Sequence, residues 1–372
     1  MNPGNQASGY YKAFLLLCAI ILTGLNTSAQ ESERQNWHIG SRLHYGFMHP
    51  FRMSIKYNVT DHIHGFELFA GKQYCGAGFW DSLYRYPETG IAYYYGTLGN
   101  NDVFGRAHAI YPYFSASFYS GSKYKSSYLV GAGVSYITKT FDLEENNFNI
   151  LIGSHLNAFL KFALQNEYRI SEELFLTNEI LLIHTSNGRM VSPNKGLNMV
   201  TASIGLKYLI AEPVTVINKD LPDLTGINSF EISGGYATKM IDHFNTGRHS
   251  VINLSFDYSR RLTYKRELMG GFDYSYDASL LRLISENEGE QARDSQALRI
   301  GIHAGQQVRF YDIGIIMQVG VYLHNKWKNE NHTFYQRYGI RYFISERLFA
   351  EVVLKTHLGV ADYMTWGMGY KF

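Results

Sequence analysis

The chain has 372 residues, of which 18% are charged and 15% aromatic, and its formal net charge is +2. Few charges combined with many aromatic side chains exclude an intrinsically disordered chain, which has the opposite composition. The near-neutral balance also argues against a nucleic-acid-binding protein, because neutralising phosphates requires a basic surface.

The N-terminal segment has the pattern of an export signal. Lys12 precedes an apolar run over 13–25, and small residues follow it up to Ala29. The run is shorter than the roughly 20 residues of a spanning helix, so we expect a signal peptide over 1–29, cleaved after Ala29. Of the two cysteines only Cys75 would then remain, which excludes a disulfide framework and a cysteine-based zinc site.

After the N-terminal segment, apolar and polar residues alternate with a period of two. The alternating segments are about 10–14 residues long, the length of a strand that crosses an outer membrane, and the clearest are 251–259, 298–310 and 311–323. A secreted soluble sheet protein also alternates, but its strands are usually about five or six residues long. No later apolar run suits a spanning helix, and only helices and closed barrels satisfy every backbone group in lipid. The pattern therefore predicts an all-β fold, a transmembrane antiparallel barrel.

The C-terminal end supports the same prediction. Met364, Trp366, Met368 and Tyr370 alternate with small or polar residues, and the chain ends on Phe372. This ending resembles the C-terminal signature of bacterial outer-membrane barrels. The resemblance implies that the protein lies among the lipids of the bacterial outer membrane, and that the outer-membrane assembly machinery acts on the strand ending at Phe372.

The alternation is interrupted over 211–228, which we interpret as a linker or long turn with about seven or eight candidate strands on each side. We expect one barrel half over 30–210 and a second over 229–372. The tripeptide at 170–172 recurs at 344–346, which favours an internal duplication with a degenerate second copy. A single barrel of about 12–16 strands is the preferred prediction, and two tandem eight-stranded barrels are the alternative.

The hairpin formed by the predicted strands 174–186 and 198–210 carries the polar residues of interest. In outer-membrane barrels the C-terminal strand ends at the periplasm, so the turn at 344–346, and by the repeat that at 170–172, is expected to be periplasmic. Strand 174–186 then ends at the cell surface. His184 and Ser186 lie at this end, on the same face of the strand as its apolar residues.

Asn198 begins the apolar face of the returning strand. Pairing Asn198 with either Ser186 or His184 would place all three side chains on the lipid side of the wall. Polar groups in hydrocarbon are costly, so this arrangement favours a site for a lipid substrate. The alternative is that these residues lie at an aqueous rim, where polar side chains are ordinary.

The segment from His184 to Asn198 resembles the PagL-type lipid A 3-O-deacylases, outer-membrane barrel enzymes with a His-x-Ser-Asn motif. The resemblance implies Ser186 as nucleophile and His184 as general base, with the oxyanion stabilised near Asn187, Gly188 and Asn194. It implies lipid A or lipopolysaccharide as substrate, and no metal or other cofactor.

The third catalytic residue of that family is a Glu, whose position is occupied here by Asn198. An amide can orient an imidazole but carries no charge to stabilise the imidazolium. The expected function is a serine esterase that removes an ester-linked acyl chain from lipid A or a related outer-leaflet glycolipid. The alternative is a non-catalytic barrel, a pore, adhesin or scaffold that has lost the triad acid.

Other polar residues have weaker claims to function. His62 and His64 share a strand face as metal ligands do, but without a convergent carboxylate we interpret them as imidazoles at a strand end. Several cations are candidates for contacts with lipid A phosphates near the outer rim, although an ordinary surface explains them equally well. These cations are Lys123, Lys125, Arg189 and Lys195.

Overall fold

The computed structural model describes residues 36–49, 53–76, 78–210, 223–242, 247–327 and 333–372. The predicted signal peptide and residues 211–222 of the predicted linker lie outside the described residues. The chain divides into two compact units. The first contains the described residues of Met1–Lys139, His155–Thr185 and Leu197–Leu221, and the second those of Thr140–Ser154, Ser186–Gly196 and Pro222–Phe372. In the described part of the chain, no helix combines the length and apolar character needed to cross a membrane.

The first barrel is a closed sheet of eight antiparallel strands. The strands are β1 (Asn36–Met48), β2 (Ile63–Gln73), β3 (Glu88–Thr97), β4 (Arg106–Ser120), β5 (Tyr124–Ile137), β6 (Leu156–Arg169), β7 (Leu174–Ser186) and β8 (Leu197–Leu209). Two short helices, α1 (Met53–Lys56) and α2 (Phe79–Leu83), lie in the connections. Closure comes from pairing of β1 with β8, in a register that places Leu43 opposite Ile204.

The second barrel is also closed and has eight strands. The strands are β9 (Asn228–Met240), β10 (Arg248–Thr263), β11 (Arg266–Asp277), β12 (Leu298–Phe310), β13 (Ile313–Asn325), β14 (Phe334–Phe343), β15 (Leu348–His357) and β16 (Val360–Lys371). Helix α3 (Ser279–Glu288) and a 3₁₀ turn (Asp294–Ala297) connect β11 to β12. β16 closes the sheet by pairing with β9, where Trp366 lies opposite Tyr236.

The all-β barrel class is confirmed, whereas the preferred single barrel of 12–16 strands is wrong. The alternative of two eight-stranded barrels is correct. Once β8 has paired with β1, both edges of the first sheet are used, so the next strand has no edge to extend and must begin a new sheet.

The period-two alternation sorts side chains between the outer wall and the lumen. On β1, Trp37, Ile39 and Tyr45 are exposed on the outside, whereas His38 and Arg42 are buried inside. An apolar outer face and a polar interior are what a barrel in lipid requires, because lipid contacts only the outer face.

Charged networks fill the first lumen. Lys161 Nζ lies 2.8 Å from Glu67 and 2.9 Å from Glu179, and all three side chains are buried. Arg42 adds a second cation, with its Nη1 2.5 Å from Glu67. Each carboxylate therefore has a cationic partner, as buried charges require.

The second lumen is filled in the same way. Arg341 donates to Glu231 at 2.7 Å and to Glu351 at 2.9 Å. His303 lies between two carboxylates, with Nε2 2.7 Å from Asp257. An eight-stranded barrel is about wide enough for its own side chains, and these side chains occupy that space.

The filled lumens predict that the protein does not conduct ions. Purified protein reconstituted into a planar bilayer should leave the conductance at the level of the bare membrane, with a general porin as positive control. Stable single-channel steps would contradict this expectation and would revive the pore alternative.

The sequence repeat occupies the same turn in both barrels. Residues 170–173 connect the sixth and seventh strands of the first barrel, and 344–347 do so in the second. The N–H of Ile170 donates to Leu174 at 2.9 Å, and the N–H of Ile344 donates to Leu348 at the same distance. The next hairpin differs, because β15 leads into β16 through a tight turn at 358–359, whereas β7 and β8 are separated by residues 187–196.

Candidate active site

The candidate site begins with a cross-strand pair on the β7–β8 hairpin. His184 lies opposite Asn198 in the register, so the structure has the second of the two predicted pairings. His184 Nδ1 lies 2.7 Å from Asn198 Oδ1. Because an amide oxygen only accepts hydrogen bonds, Nδ1 carries the proton and Nε2 keeps its lone pair. This is the tautomer that a general base needs.

The imidazole is on the outside of the wall. Ile180 and Leu182 have the same parity on β7 and are 69% and 56% exposed. His184 continues this face and is half-buried. Thr185 faces the lumen instead, where its Oγ1 donates to the Ala158 carbonyl at 2.8 Å.

Ser186 is the last residue of β7 and has the parity of His184. The residue is 9% exposed, so little of it is open to solvent or lipid. A strand places residues i and i+2 on the same face, which gives the hydroxyl and the imidazole a common side of the wall. Ser186 and His184 thus have the common parity on β7 that the sequence predicts.

Residues 187–196 form the loop after Ser186, which we call the site loop. The Asn187 N–H donates to Asn194 Oδ1 at 3.0 Å, and Asn187 Nδ2 donates to Ser154 Oγ at 2.7 Å. Asn187 is 1% exposed, and its side-chain oxygen accepts from the Val191 N–H. Its polar groups are thus occupied in shaping the loop.

Two of the predicted oxyanion donors lie on the site loop. Among the residues that the structure describes, neither the Gly188 N–H nor Asn194 Nδ2 has a hydrogen-bond partner. Gly188 has φ of 62°, a left-handed conformation that glycine adopts without steric cost. Ser154, which holds Asn187, was not predicted, because its segment has no periodicity that would place it here.

The site loop is held by other parts of the second compact unit. The N–H of Lys195 donates to the Leu151 carbonyl at 2.9 Å. Arg189 Nη2 donates to the Ile241 carbonyl at 3.2 Å, and the Arg189 carbonyl accepts from the Met240 N–H at 3.2 Å. A Cβ at Gly188 would lie 2.9 Å from Met364 Cβ, so only glycine fits there without a shift. Arg189 therefore anchors backbone, a role different from the phosphate contact considered from the sequence.

The neighbouring segment 140–154 contains an acidic turn. The N–H groups of Glu145 and Glu144 donate to Asp142 at 2.9 and 2.8 Å. These backbone hydrogen bonds hold the pKa of the exposed Asp142 carboxyl below its usual value. The turn is therefore anionic at neutral pH.

Two of the predicted phosphate-binding cations lie at the wrong end of the barrel. Lys123 is in the turn between β4 and β5, and Lys125 is on β5 just after it. Since successive strands run in opposite directions, this turn is at the rim opposite the end of β7. Lys125 also pairs with Glu88 at 2.5 Å. Both residues are excluded from contact with a lipid bound near His184.

The described residues contain one cluster with metal-ligand geometry, formed by His44, Glu67 and Glu179 in the first lumen. Lys161 and Arg42 already neutralise its two carboxylates. A divalent cation would add charge to a balanced cluster, so the residues do not fit a metal site. His62 and His64 are exposed on the outer face of the wall, whereas the cluster is buried on its inner side.

Two protein-family models match the chain, one over strands of each barrel. The family model described as lipid A 3-O-deacylase (PagL) matches residues 64–207, and the model of the acyloxyacyl hydrolase C-terminal domain matches 228–372. No curated protein sequence matches the chain.

Three of the similar solved structures are outer-membrane proteins. The outer-membrane enzyme PagL is 15% identical, with 47% of this chain and 99% of that chain covered and a TM-score of 0.29. Omp33 of Acinetobacter baumannii is 7% identical, with 91% and 97% covered and a TM-score of 0.17. The β domain of the Bordetella autotransporter BrkA is 8% identical, with 91% and 99% covered and a TM-score of 0.23.

Proposed function

We propose that this chain is an outer-membrane serine esterase, because the lipid A 3-O-deacylase (PagL) family model matches residues 64–207 and the acyloxyacyl hydrolase C-terminal domain model matches residues 228–372. The substrate class is lipid A or a related glycolipid of the outer leaflet, from which the enzyme removes one ester-linked acyl chain. The observation that carries this proposal is the His184–Asn198 pair on the outer wall, two positions before Ser186 on the same strand. A base that faces lipid serves a reaction whose substrate is part of the bilayer.

The reaction follows from the tautomer of His184. Nε2 takes the proton of Ser186 Oγ as the oxygen attacks the ester carbonyl. The tetrahedral intermediate expels the sugar hydroxyl, which receives that proton, and an acyl-serine remains. Water then attacks the acyl-serine with His184 again as base, which releases the fatty acid and restores the serine.

The oxyanion is stabilised by the two available donors of the site loop. The Gly188 N–H and Asn194 Nδ2 would donate to the carbonyl oxygen as it gains charge. Fixed donors in a dry site are typically worth about 3–4 kcal/mol each in transition-state stabilisation. The hydrogen bond from the Asn187 N–H to Asn194 Oδ1 supports this role, because it fixes the orientation of the Asn194 amide.

A direct assay tests the proposal. Purified full-length protein in detergent should remove one acyl chain from lipopolysaccharide. Lipid A mass spectra should then show the loss of one ester-linked fatty acid, with the amide-linked chains retained. Lipid A that stays unchanged through prolonged incubation with folded protein would contradict the proposal and favour the scaffold or adhesin alternative. Heat-dependent migration in gel electrophoresis provides the control for a folded barrel.

A further inference from the structure

The histidines of the first unit are distributed unevenly. We use "site rim" for the rim of the first barrel at which β7 ends and β8 begins. Alternation of strand direction places the end of β1, the start of β2, the end of β3 and the start of β4 at the same rim. Six histidines lie at this rim: His49, His62, His64, His108, His155 and His184.

The opposite rim differs. Its outer face carries aromatic residues such as Trp37, Tyr124, Tyr168 and Tyr208. Within the described residues of the first unit, no histidine lies on that outer face, and the remaining two, His38 and His44, are buried in the lumen. An aromatic girdle is common to both rims of such barrels, so it does not explain imidazoles at one rim only.

On β1 and β2, two imidazoles are packed against one tyrosine. The rings of Tyr45 and His62 are stacked, with centroids 5.2 Å apart, and His64 meets Tyr45 edge-on at the same distance. The backbone N–H of His64 donates to Thr97 Oγ1 at 2.9 Å. The carboxylate of Asp61 accepts from the His62 N–H at 2.7 Å. The ring contacts with Tyr45 orient both imidazoles, and the two hydrogen bonds fix the backbone that carries them.

On β3 and β4, a guanidinium continues the same surface. Arg106 is exposed, and its Nη1 donates to Tyr95 Oη at 2.8 Å. His108 packs against Tyr95 with ring centroids 5.0 Å apart, and its Nδ1 lies 2.8 Å from Tyr93 Oη. Among the described residues, no carboxylate forms an ion pair with Arg106. An exposed guanidinium at the rim can therefore pair with an anionic group of the bilayer.

We propose that this surface, which we call the rim patch (His62, His64, Arg106 and His108), binds the phosphorylated sugar headgroup of the glycolipid substrate. The inference rests on the proposed function and names how its substrate is held. Adjacent strands are about 4.8 Å apart, so the patch begins roughly 10 Å along the wall from Asn198 and extends to roughly 20 Å. A phosphorylated oligosaccharide covers that distance while its ester lies at Ser186. Guanidinium and imidazole groups are suitable donors to phosphate oxygens.

Binding should be measured with the Ser186→Ala variant, so that the result does not depend on catalysis. A fluorescent lipid A probe and its enzymatically dephosphorylated form are titrated against folded protein in detergent. The phosphorylated probe should bind more tightly. The triple variant His62→Ala, His64→Ala and Arg106→Ala should weaken its binding about tenfold or more, the loss expected for one or two charge-assisted hydrogen bonds. Affinity for the dephosphorylated probe should not change.

Lys123→Ala is the matched control, because it removes an exposed cation at the opposite rim and should change neither affinity. Equal affinity of the Ser186→Ala protein for both probes, or an equal loss for both in the triple variant, would overturn the inference. So would displacement of the phosphorylated probe by low-millimolar inorganic phosphate, since that result identifies a free-phosphate site. Phosphate-dependent binding by a protein whose wild-type form hydrolyses nothing would leave the inference standing and refute only the proposed function.

Discussion

Replacing Ser186 with alanine is expected to lower kcat for deacylation by at least about a thousandfold, the usual effect of removing a catalytic serine. In the proposed mechanism the hydroxyl forms the acyl-enzyme, and a methyl group in its place leaves His184 with no proton to take. Single-turnover assays followed by lipid A mass spectrometry measure this directly. KM should change little, because the serine contributes little to binding the glycolipid.

The adjacent hydroxyl supplies the control for this experiment. Thr185 faces the lumen and bonds to Ser135 Oγ at 2.5 Å and to the Ala158 carbonyl, so Thr185→Val removes a hydroxyl on the other side of the same strand. We expect near wild-type kcat from the folded Thr185→Val protein. Activity retained by Ser186→Ala, or lost equally in both variants, would refute the assignment of the nucleophile.

The fold class was predictable from the sequence because the period of two is a local property. Each strand must alternate wherever one face contacts lipid and the other a polar lumen. The number of barrels was not predictable in the same way. It depends on whether β8 pairs with β1 or with a later strand, and the register of Leu43 with Ile204 joins residues far apart in the chain.

The site was predictable to the extent that its residues lie on strands. Parity alone placed His184 and Asn198 on one face, and the hairpin brings their side chains to 2.7 Å. The site loop has no periodic alternation of apolar and polar residues. Residue type alone therefore predicts neither the hydrogen bond from Asn187 to Ser154 nor the one from Arg189 to the Ile241 carbonyl. The prediction placed Lys123 at the wrong rim of the barrel. The rim at which a turn lies depends on the boundaries of the strands on either side, and the sequence did not define those boundaries around Lys123.

Asn198 stands where the resembled family has a glutamate. Replacing it with aspartate is the second change for which we expect a large effect, an increase in kcat. Asn198→Asp keeps the geometry of the hydrogen bond to His184 Nδ1, since the two side chains have the same shape, and adds a negative charge. In the transition state the imidazole is an imidazolium, which a carboxylate stabilises and a neutral amide does not. Charge-assisted hydrogen bonds exceed neutral ones by about 1–1.5 kcal/mol, which corresponds to a kcat about tenfold higher in the variant.

Three further variants determine whether that gain has the proposed cause. Asn198→Leu removes the acceptor and should lower kcat, because nothing then fixes the imidazole tautomer. Asn198→Glu restores the family's residue and should also raise kcat, by an amount that depends on how its longer side chain fits opposite His184. The double variant Ser186→Ala with Asn198→Asp should be inactive, since the added charge works only through the serine. A folded Asn198→Asp protein no faster than the wild type would show that the amide already provides what the imidazolium needs, or that a carboxylate from another part of the chain serves as the acid.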